Sequence, residues 1–183
     1  MSAALALKEA ASIYEGVPER PTGEASSDFL AVVKGHVDVA DRMTRDRKIK
    51  AIQERAKINE FFQTMTASLD GVTQEVMDEL SSATDALSNQ IVEHSASVAQ
   101  VEREAESILR EAGEMKLPTQ TVKAIRKEFS RFIDAGKEMH SDAVEMYYFL
   151  LSLKAELDPD ANVGPSFDNP DELKAYLDAE LAD

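Results

Sequence analysis

The most extensive feature of the chain is a run of apolar positions three and four residues apart, which is the spacing of one helix face. From residue 58 to residue 115 this run crosses Asp70-Gly71 without losing phase. Asp-Gly is also typical of a turn, and glycine costs a helix interior about 1 kcal/mol. We therefore expect residues 46–115 to form one very long helix or two helices broken near residue 70, and the unbroken phase slightly favours one.

A second apolar run begins after Leu117-Pro118 and repeats strictly every seven residues. Such a repeat, sustained over several heptads, predicts coiled-coil-like packing against another helix. Small residues at two of its positions would let that helix approach closely. We name this run the heptad seam and predict that it is an interaction surface. Its residues are Val122, Ile125, Phe129, Phe132, Gly136, Met139, Ala143, Met146, Leu150 and Leu153.

Shorter elements are predicted on either side of these runs. Residues 2–15 can form a short helix that Gly16 ends, and the prolines and glycines that follow predict a linker. Ser26 or Ser27 can cap the next helix through its side-chain oxygen. Near the other end, a loop after Asp158-Pro159 precedes a last predicted helix, whose apolar residues are Leu173, Tyr176, Leu177 and Leu181.

Taken together, these patterns predict an all-α protein. We expect an elongated helical bundle with a long antiparallel coiled-coil-like hairpin and short N- and C-terminal helices. Three segments follow from this division. Residues 1–25 are the short N-terminal helix and its linker, residues 26–157 are the long-helix bundle, and residues 158–183 are an acidic loop and C-terminal helix.

The charge of the chain narrows the class of partner. The formal net charge is −15, which repels nucleic acid and anionic lipid and favours a basic protein partner. Residues 42–57 are an exception, because they hold seven Arg and Lys against two acids. We expect this basic stretch to lie against the acidic helices of the same chain.

Three further properties bear on location. The chain contains no cysteine, which fits a reducing cytosol. Its N-terminus lacks the basic start and long apolar core of a secretory signal. The longest apolar stretch, residues 146–153, is far shorter than the ~20 residues that span a bilayer. These properties predict a cytoplasmic protein without stable membrane insertion, and they leave specialised secretion from the cytosol open.

The stretch GKEMHSDAVEMYYFLL, residues 136–151, is the first candidate for chemistry. His140 stands among Glu138, Asp142 and Glu145. On a helix the three acids share a face, while His140 points to nearly the opposite side, so one ion cannot be bound by both. We therefore interpret the acids as a solvated row beside the heptad seam, and we predict no catalytic, cofactor-binding or metal-binding residues.

His36 and His94 are a second candidate, because both occupy positions on apolar stripes. A buried metal pair is conceivable in a bundle, but no Glu-x-x-His repeat accompanies either histidine. We predict that each is a buried, hydrogen-bonded residue or a polar residue that sets the specificity of packing at a core position. If they titrate, they could make the packing sensitive to pH.

The function favoured by this sequence is that of a non-catalytic helical protein–protein interaction protein. An adaptor, a chaperone, an inhibitor and an assembly subunit all fit long apolar seams and an acidic surface. The expected partner is another protein, such as a basic one, or a second copy in a homo-oligomer. A secreted helical effector or membrane-active bundle is the first alternative, and a ferritin-like metal-binding enzyme is the second.

Overall fold

The architecture is that of an all-α bundle, as the sequence predicts. It is seen in a computed structural model that describes residues 3–66 and 72–157, so the expectations for Asp70-Gly71 and residues 158–183 lie outside the described residues. Every regular element in the described ranges is a helix. The four helices are α1 (Ala3–Ser12), α2 (Ser27–Thr66), α3 (Gln74–Glu114) and α4 (Thr119–Leu157).

The boundaries of α2 and α3 decide between the two expectations for residues 46–115. Two helices are present, so the slight preference for one was wrong. Thr73 caps α3, since its side chain accepts a hydrogen bond from the main-chain nitrogen of Val76. The other end of α2 agrees with the prediction, because Ser26 Oγ accepts a hydrogen bond from Phe29 N at 3.1 Å. α2 also continues without interruption through residue 46.

α4 packs against both other long helices. Three ion pairs across α2 and α4 join residues with a constant offset of 90 positions: Asp41–Arg131, Lys48–Glu138 and Arg55–Glu145. A constant offset means that α2 and α4 run in the same direction. Contacts between α3 and α4 follow the opposite rule. Leu87 and Leu80 share a cluster with the late residue Leu150, whereas Val101 and Ala105 share one with the early residue Ile125.

The apolar core divides into two clusters along the bundle. One lies where α1 joins the long helices, and its large members include Leu7, Tyr14, Ile58, Leu80, Leu87, Met146 and Leu150. The other contains residues of α2, α3 and α4, including Phe29, Val33, Val101, Ile125, Phe129 and Phe132. Burial of these side chains supplies most of the driving force for folding.

Residues 3–25, which we call the N-terminal segment, run between α2 and α3. α1 packs against both helices. Beyond it, Glu19 O lies 2.8 Å from His36 Nδ1 on α2, and Arg20 forms a 2.9 Å ion pair with Glu104 on α3. The predicted short helix ends earlier than expected, at Ser12, and Gly16 adopts a positive φ of 73°. A helix of ten residues is marginal alone, so packing between α2 and α3 stabilises α1.

The heptad seam is covered by the chain's own helices. Nine of its ten residues, from Ile125 to Leu153, are buried within the chain, and Val122 is half-buried. At Gly136 the approach of α3 is close, since an added Cβ would lie 2.9 Å from Val98 Cγ2. This is the close contact that a small seam residue predicts. The seam therefore stabilises the bundle and is not free for a partner.

Candidate functional site

A group of buried polar side chains lies where the N-terminal segment passes between α2 and α3. Arg47 on α2 and Gln90 and His94 on α3 are all buried. Each donates a hydrogen bond to main-chain oxygens of the segment, so we call the three side chains the carbonyl clamp. The clamp binds the negative end of α1 and the residues just after it, where helix carbonyls lack internal partners.

His94 is the most enclosed member of the carbonyl clamp. Its Nε2 atom lies 2.9 Å from Tyr14 O, and a carbonyl can only accept, so Nε2 carries the proton. Arg47 Nη1 lies 3.4 Å from the same nitrogen, but two donors cannot form a hydrogen bond. Burial lowers the pKa of His94, and Arg47 and His140 lower it further, against the Tyr14 carbonyl and Glu93, which raise it. His94 is therefore neutral at neutral pH.

Arg47 and Gln90 complete the carbonyl clamp. Arg47 Nη2 donates to Glu15 O at 2.7 Å and to Gly16 O at 3.0 Å, while Gln90 Nε2 donates to Ala11 O at 2.7 Å. Burial lowers the pKa of Arg47. Carbonyl acceptors at a helix end offset part of the cost of burying its charge. All three donors recognise the backbone, so they position the segment rather than a substrate.

The structure places the two histidines of the sequence prediction at different points of the N-terminal segment. His94 is buried as predicted, whereas His36 is half-buried and contacts Glu19 O. Each bonds a main-chain oxygen, so they do not meet as a metal pair. In residues 3–66 and 72–157, no group of three His, Cys, Asp or Glu side chains could hold a metal ion.

Sequence reasoning missed Arg47 and Gln90, although a signal was present. Arg47 follows Val33 and Ala40 at intervals of seven residues, and those two are buried. Gln90 stands three residues after Leu87 and four before His94 on the same stripe. A polar side chain that continues an apolar stripe marks a buried hydrogen-bonding position, and both residues carry this mark.

The acidic row of α4 is not fully solvated, so the sequence prediction for it was wrong. Glu138 and Glu145 are exposed, but they pair with Lys48 at 3.0 Å and Arg55 at 3.5 Å, and Asp142 between them is buried. The row was expected to be solvated because only the seam was assumed to be covered. α2 also covers this flank, and Lys48 and Arg55 of its basic stretch face the acids as predicted.

Asp142 lacks full hydrogen bonding in its buried position. Its Oδ2 atom has no hydrogen-bond partner among the described residues. Burial raises the pKa of Asp142, and Glu145 and Glu138 add to this, against the opposing charges of Lys48 and Arg55. The carboxylate is thus costly to ionise inside the folded protein.

Another feature lies on the outward side of α2. Five exposed residues follow one another at intervals of three and four, and we call them the outer stripe: Arg42, Arg45, Ile49, Ile52 and Ala56. The side chains of Ile49 and Ile52 are 50% and 64% exposed. The three/four spacing makes them neighbours on one helix face. No sequence prediction singled out this stripe, because the buried stripe of α2 dominates its pattern.

A groove of about 400 Å³ lies between α2 and α4. It is open to solvent and lined by three basic and three acidic side chains: Asp41, Arg45, Lys48, Arg131, Asp134 and Glu138. Opposite charges already meet in this region, as in the 2.7 Å contact of Arg131 with Asp41. The groove therefore presents neither a single charge sign nor an apolar wall, and it resembles no typical ligand pocket.

Comparison with known proteins gives no identification: no family model, curated protein or solved structure matches this chain. Among the described helices, none has the length and apolar character needed to cross a membrane.

Proposed function

We propose that the protein is a non-catalytic helical protein–protein interaction protein and that the outer stripe of α2 is its binding surface. The observation that carries the proposal is the exposure of Ile49 and Ile52 side by side on one helix. Single exposed apolar residues are ordinary, but neighbouring anchors three residues apart are how a helix docks into an apolar groove. The aliphatic stems of Arg42 and Arg45 extend this apolar strip.

The carbonyl clamp supports a non-catalytic role. Catalytic side chains must reach a substrate, whereas Arg47, Gln90 and His94 are buried and bond to the N-terminal segment. The heptad seam, the other large apolar surface, packs within the chain. The outer stripe is thus the best supported binding surface of α2.

The charge of the outer stripe bears on its partner. Arg42 and Arg45 make it a basic strip on a chain of net charge −15. An acidic protein surface with an apolar centre complements this strip, and a second copy of the chain carries such acidity. The rest of the chain is acidic, so surfaces outside the outer stripe favour a basic protein. Because the chain lacks cysteine, we place this interaction in the cytoplasm.

A photo-cross-linking amino acid introduced in place of Ile52 tests the proposal in cells. Val92 on α3 is the matched control site, because it is a similarly exposed apolar residue, at 66%, away from the stripe. We expect a defined protein adduct from position 52 and much less from position 92. Equal labelling at both positions, or none at either, would contradict the proposal. Mass spectrometry of the adduct tells a second copy from a different protein.

A further inference from the structure

We propose that the N-terminal segment is an acid-released strap, which leaves the space between α2 and α3 as one unit while the three long helices stay packed together. Arg47 bonds the segment from one side of α2, whereas Ile49 and Ile52 are exposed on another side. Release of the segment is therefore separate from binding at the outer stripe.

The three long helices hold together without the segment. α4 packs along both α2 and α3, whereas α2 and α3 make few direct contacts with each other. The three ion pairs with an offset of 90 positions join α2 directly to α4. Among the described residues, the second apolar cluster, which includes Phe29, Val101 and Phe129, comes from α2, α3 and α4 alone. All of these contacts remain when the segment leaves.

The apolar attachment of α1 consists mainly of small side chains. Its buried residues are Ala3, Ala6, Leu7, Ala10 and Ala11. Burial stabilises in proportion to the apolar area removed from water, so each alanine contributes much less than a leucine. The large apolar side chains that the segment adds to the core are Leu7, Ile13 and Tyr14. The segment is therefore weakly attached for its length, and its ordering costs conformational entropy.

Past α1, the segment is held by its main chain. The carbonyl clamp bonds four main-chain oxygens between Ala11 and Gly16. Its donors come from both α2 and α3, and Arg47 Nη1 lies 3.4 Å from His94 Nε2, so the donors are close neighbours. When the segment leaves, these bonds break together and its carbonyls bond water instead. The clamp thereby makes the segment one cooperative unit.

A turn suited to a hinge connects the segment to α2. Residues 22–24 are exposed, and Gly23 adopts a φ of 148°, which is open to glycine and rare for other residues. Phe29 is buried in the second apolar cluster and stays with α2. Rotation of the backbone near Gly23 therefore moves the segment without moving the long helix.

The segment covers His94. The imidazole bonds Tyr14 O at 2.9 Å, and Val17 and Pro18 line a small cavity together with it. When the segment leaves, this side of the imidazole meets water.

Protonation of His94 favours the released state. Arg47 of α2, Glu93 of α3, His140 of α4 and the Tyr14 carbonyl of the segment face its imidazole. Burial is the largest cause of its lowered pKa, and the Arg47 charge adds to it. Release returns the pKa toward its ordinary value of 6.5. As the pH falls from 6.5 to the folded pKa, the released state therefore gains over the bound one.

Native-state hydrogen exchange of the full-length protein at pH 7.5 and pH 5 tests the proposal, with rates corrected for the intrinsic effect of pH on amides. At pH 7.5 the amides of α1 should be less protected from exchange than those of α4 near Met139, because α1 opens alone. At pH 5 the protection of α1 should fall by about tenfold or more. A group with a pKa of 6.5 after release favours release by at most about 30-fold over this interval.

A core variant separates release of the segment from unfolding of the whole chain. Ile125 is buried in the second apolar cluster, which stays packed after release. Ile125→Val should therefore lower the protection of α4 about threefold to tenfold and leave that of α1 unchanged.

A histidine variant tests the acid response. His94→Gln keeps a side-chain donor that does not titrate, so α1 should be protected about equally at pH 7.5 and pH 5. His36→Gln is the matched control, because it changes a half-buried histidine that contacts the segment outside the carbonyl clamp. This control should keep the wild-type response to pH.

Three results would overturn the proposal. Equal protection of α1 and α4, with both lowered alike by Ile125→Val, would mean that the segment leaves only when the whole chain unfolds. Protection of α1 that does not change between pH 7.5 and pH 5 would exclude release by acid. The same change with pH in wild type and His94→Gln would exclude His94 as its origin.

Discussion

His94 Nε2 donates a hydrogen bond to the main-chain oxygen of Tyr14 across 2.9 Å, which joins α3 to the N-terminal segment. The same nitrogen faces Arg47, so an added proton on this histidine would place two positive charges together in a buried site. Protonation at Nδ1 would keep the Nε2–H bond but would add a charge that burial and Arg47 disfavour. The packing of residues 3–25 around His94 therefore depends on pH.

We predict that His94 contributes stability above its ordinary pKa of 6.5 and that this contribution is lost as the pH falls through its lowered folded pKa. The sign follows because the unfolded state binds the proton more readily. His94→Leu leaves the Tyr14 carbonyl unpaired, so it should lower the free energy of unfolding by about 1–3 kcal/mol at pH 7.5. Circular dichroism melts at pH 7.5 and 5 measure the effect.

The difference between wild type and His94→Leu should be smaller at pH 5, since the variant has no imidazole to protonate at this position. Arg47, Glu93 and His140 face the histidine in both proteins, so the comparison isolates position 94. His94→Gln is the companion variant, because its amide can donate without titrating. Identical pH dependence in wild type and His94→Leu would remove the proposed coupling.

Asp142 should have the opposite pH dependence. Burial raises its folded pKa, so the stability linked to its protonated form is present below pH 3.8 and is lost as the pH rises through the folded pKa. Asp142→Asn should therefore unfold at a higher urea concentration than wild type at neutral pH, and the two midpoints should converge as the medium is acidified. Asp134→Asn, at an exposed position of the same helix, is the control.

The stability of the Asp142→Asn variant depends on the balance between the attraction of neighbouring cations for the Asp142 carboxylate and the cost of burying its charge. Lys48 and Arg55 attract the charged form of Asp142, while burial and two neighbouring acids oppose it. If Asp142→Asn were less stable than wild type at neutral pH, the attraction to the two cations would outweigh the cost of burial.

The contact between Gly136 and Val98 predicts a change of sign in a double variant. Gly136→Ala would place Cβ 2.9 Å from Val98 Cγ2, and a β-branched side chain cannot easily withdraw. Overpacking of this kind costs typically about 1–3 kcal/mol, more than the ~1 kcal/mol that alanine adds to helix propensity. Gly136→Ala alone should therefore be destabilising in urea denaturation.

In a Val98→Ala background the clash is absent, so the same Gly136→Ala change should stabilise by about 1 kcal/mol. Gly35→Ala is a useful control for propensity alone, because no atom lies within 4 Å of its added Cβ. A destabilising effect of Gly136→Ala in both backgrounds would contradict the steric explanation.

The all-α fold and the heptad seam could be predicted from sequence because helix periodicity is a local property. The separation of α2 from α3 was harder to predict. Both helices direct their apolar stripes to the same core, so the pattern keeps its phase whether or not the chain turns near Asp70-Gly71. The cap at Thr73 was the local signal for two helices.

The polar sites could be predicted less well, because they depend on which flanks the packing covers. His94 was recognisable on its stripe, but its Tyr14 partner lies 80 positions away in the sequence. Asp142 was assigned to solvent, since the spacing of α4 alone does not reveal that α2 covers this flank. The outer stripe became visible only when the exposure of Ile49 and Ile52 was known.

The most direct measurement is methyl NMR of the full-length protein with isotope-labelled isoleucine δ1 groups, recorded alone and in an unlabelled extract of the cells that produce it. If the outer stripe is a binding surface, the resonances of Ile49 and Ile52 should shift together in the extract, while those of the buried Ile58 and Ile125 should not. Unchanged resonances at residues 49 and 52, or shifts confined to other isoleucines, would contradict the account.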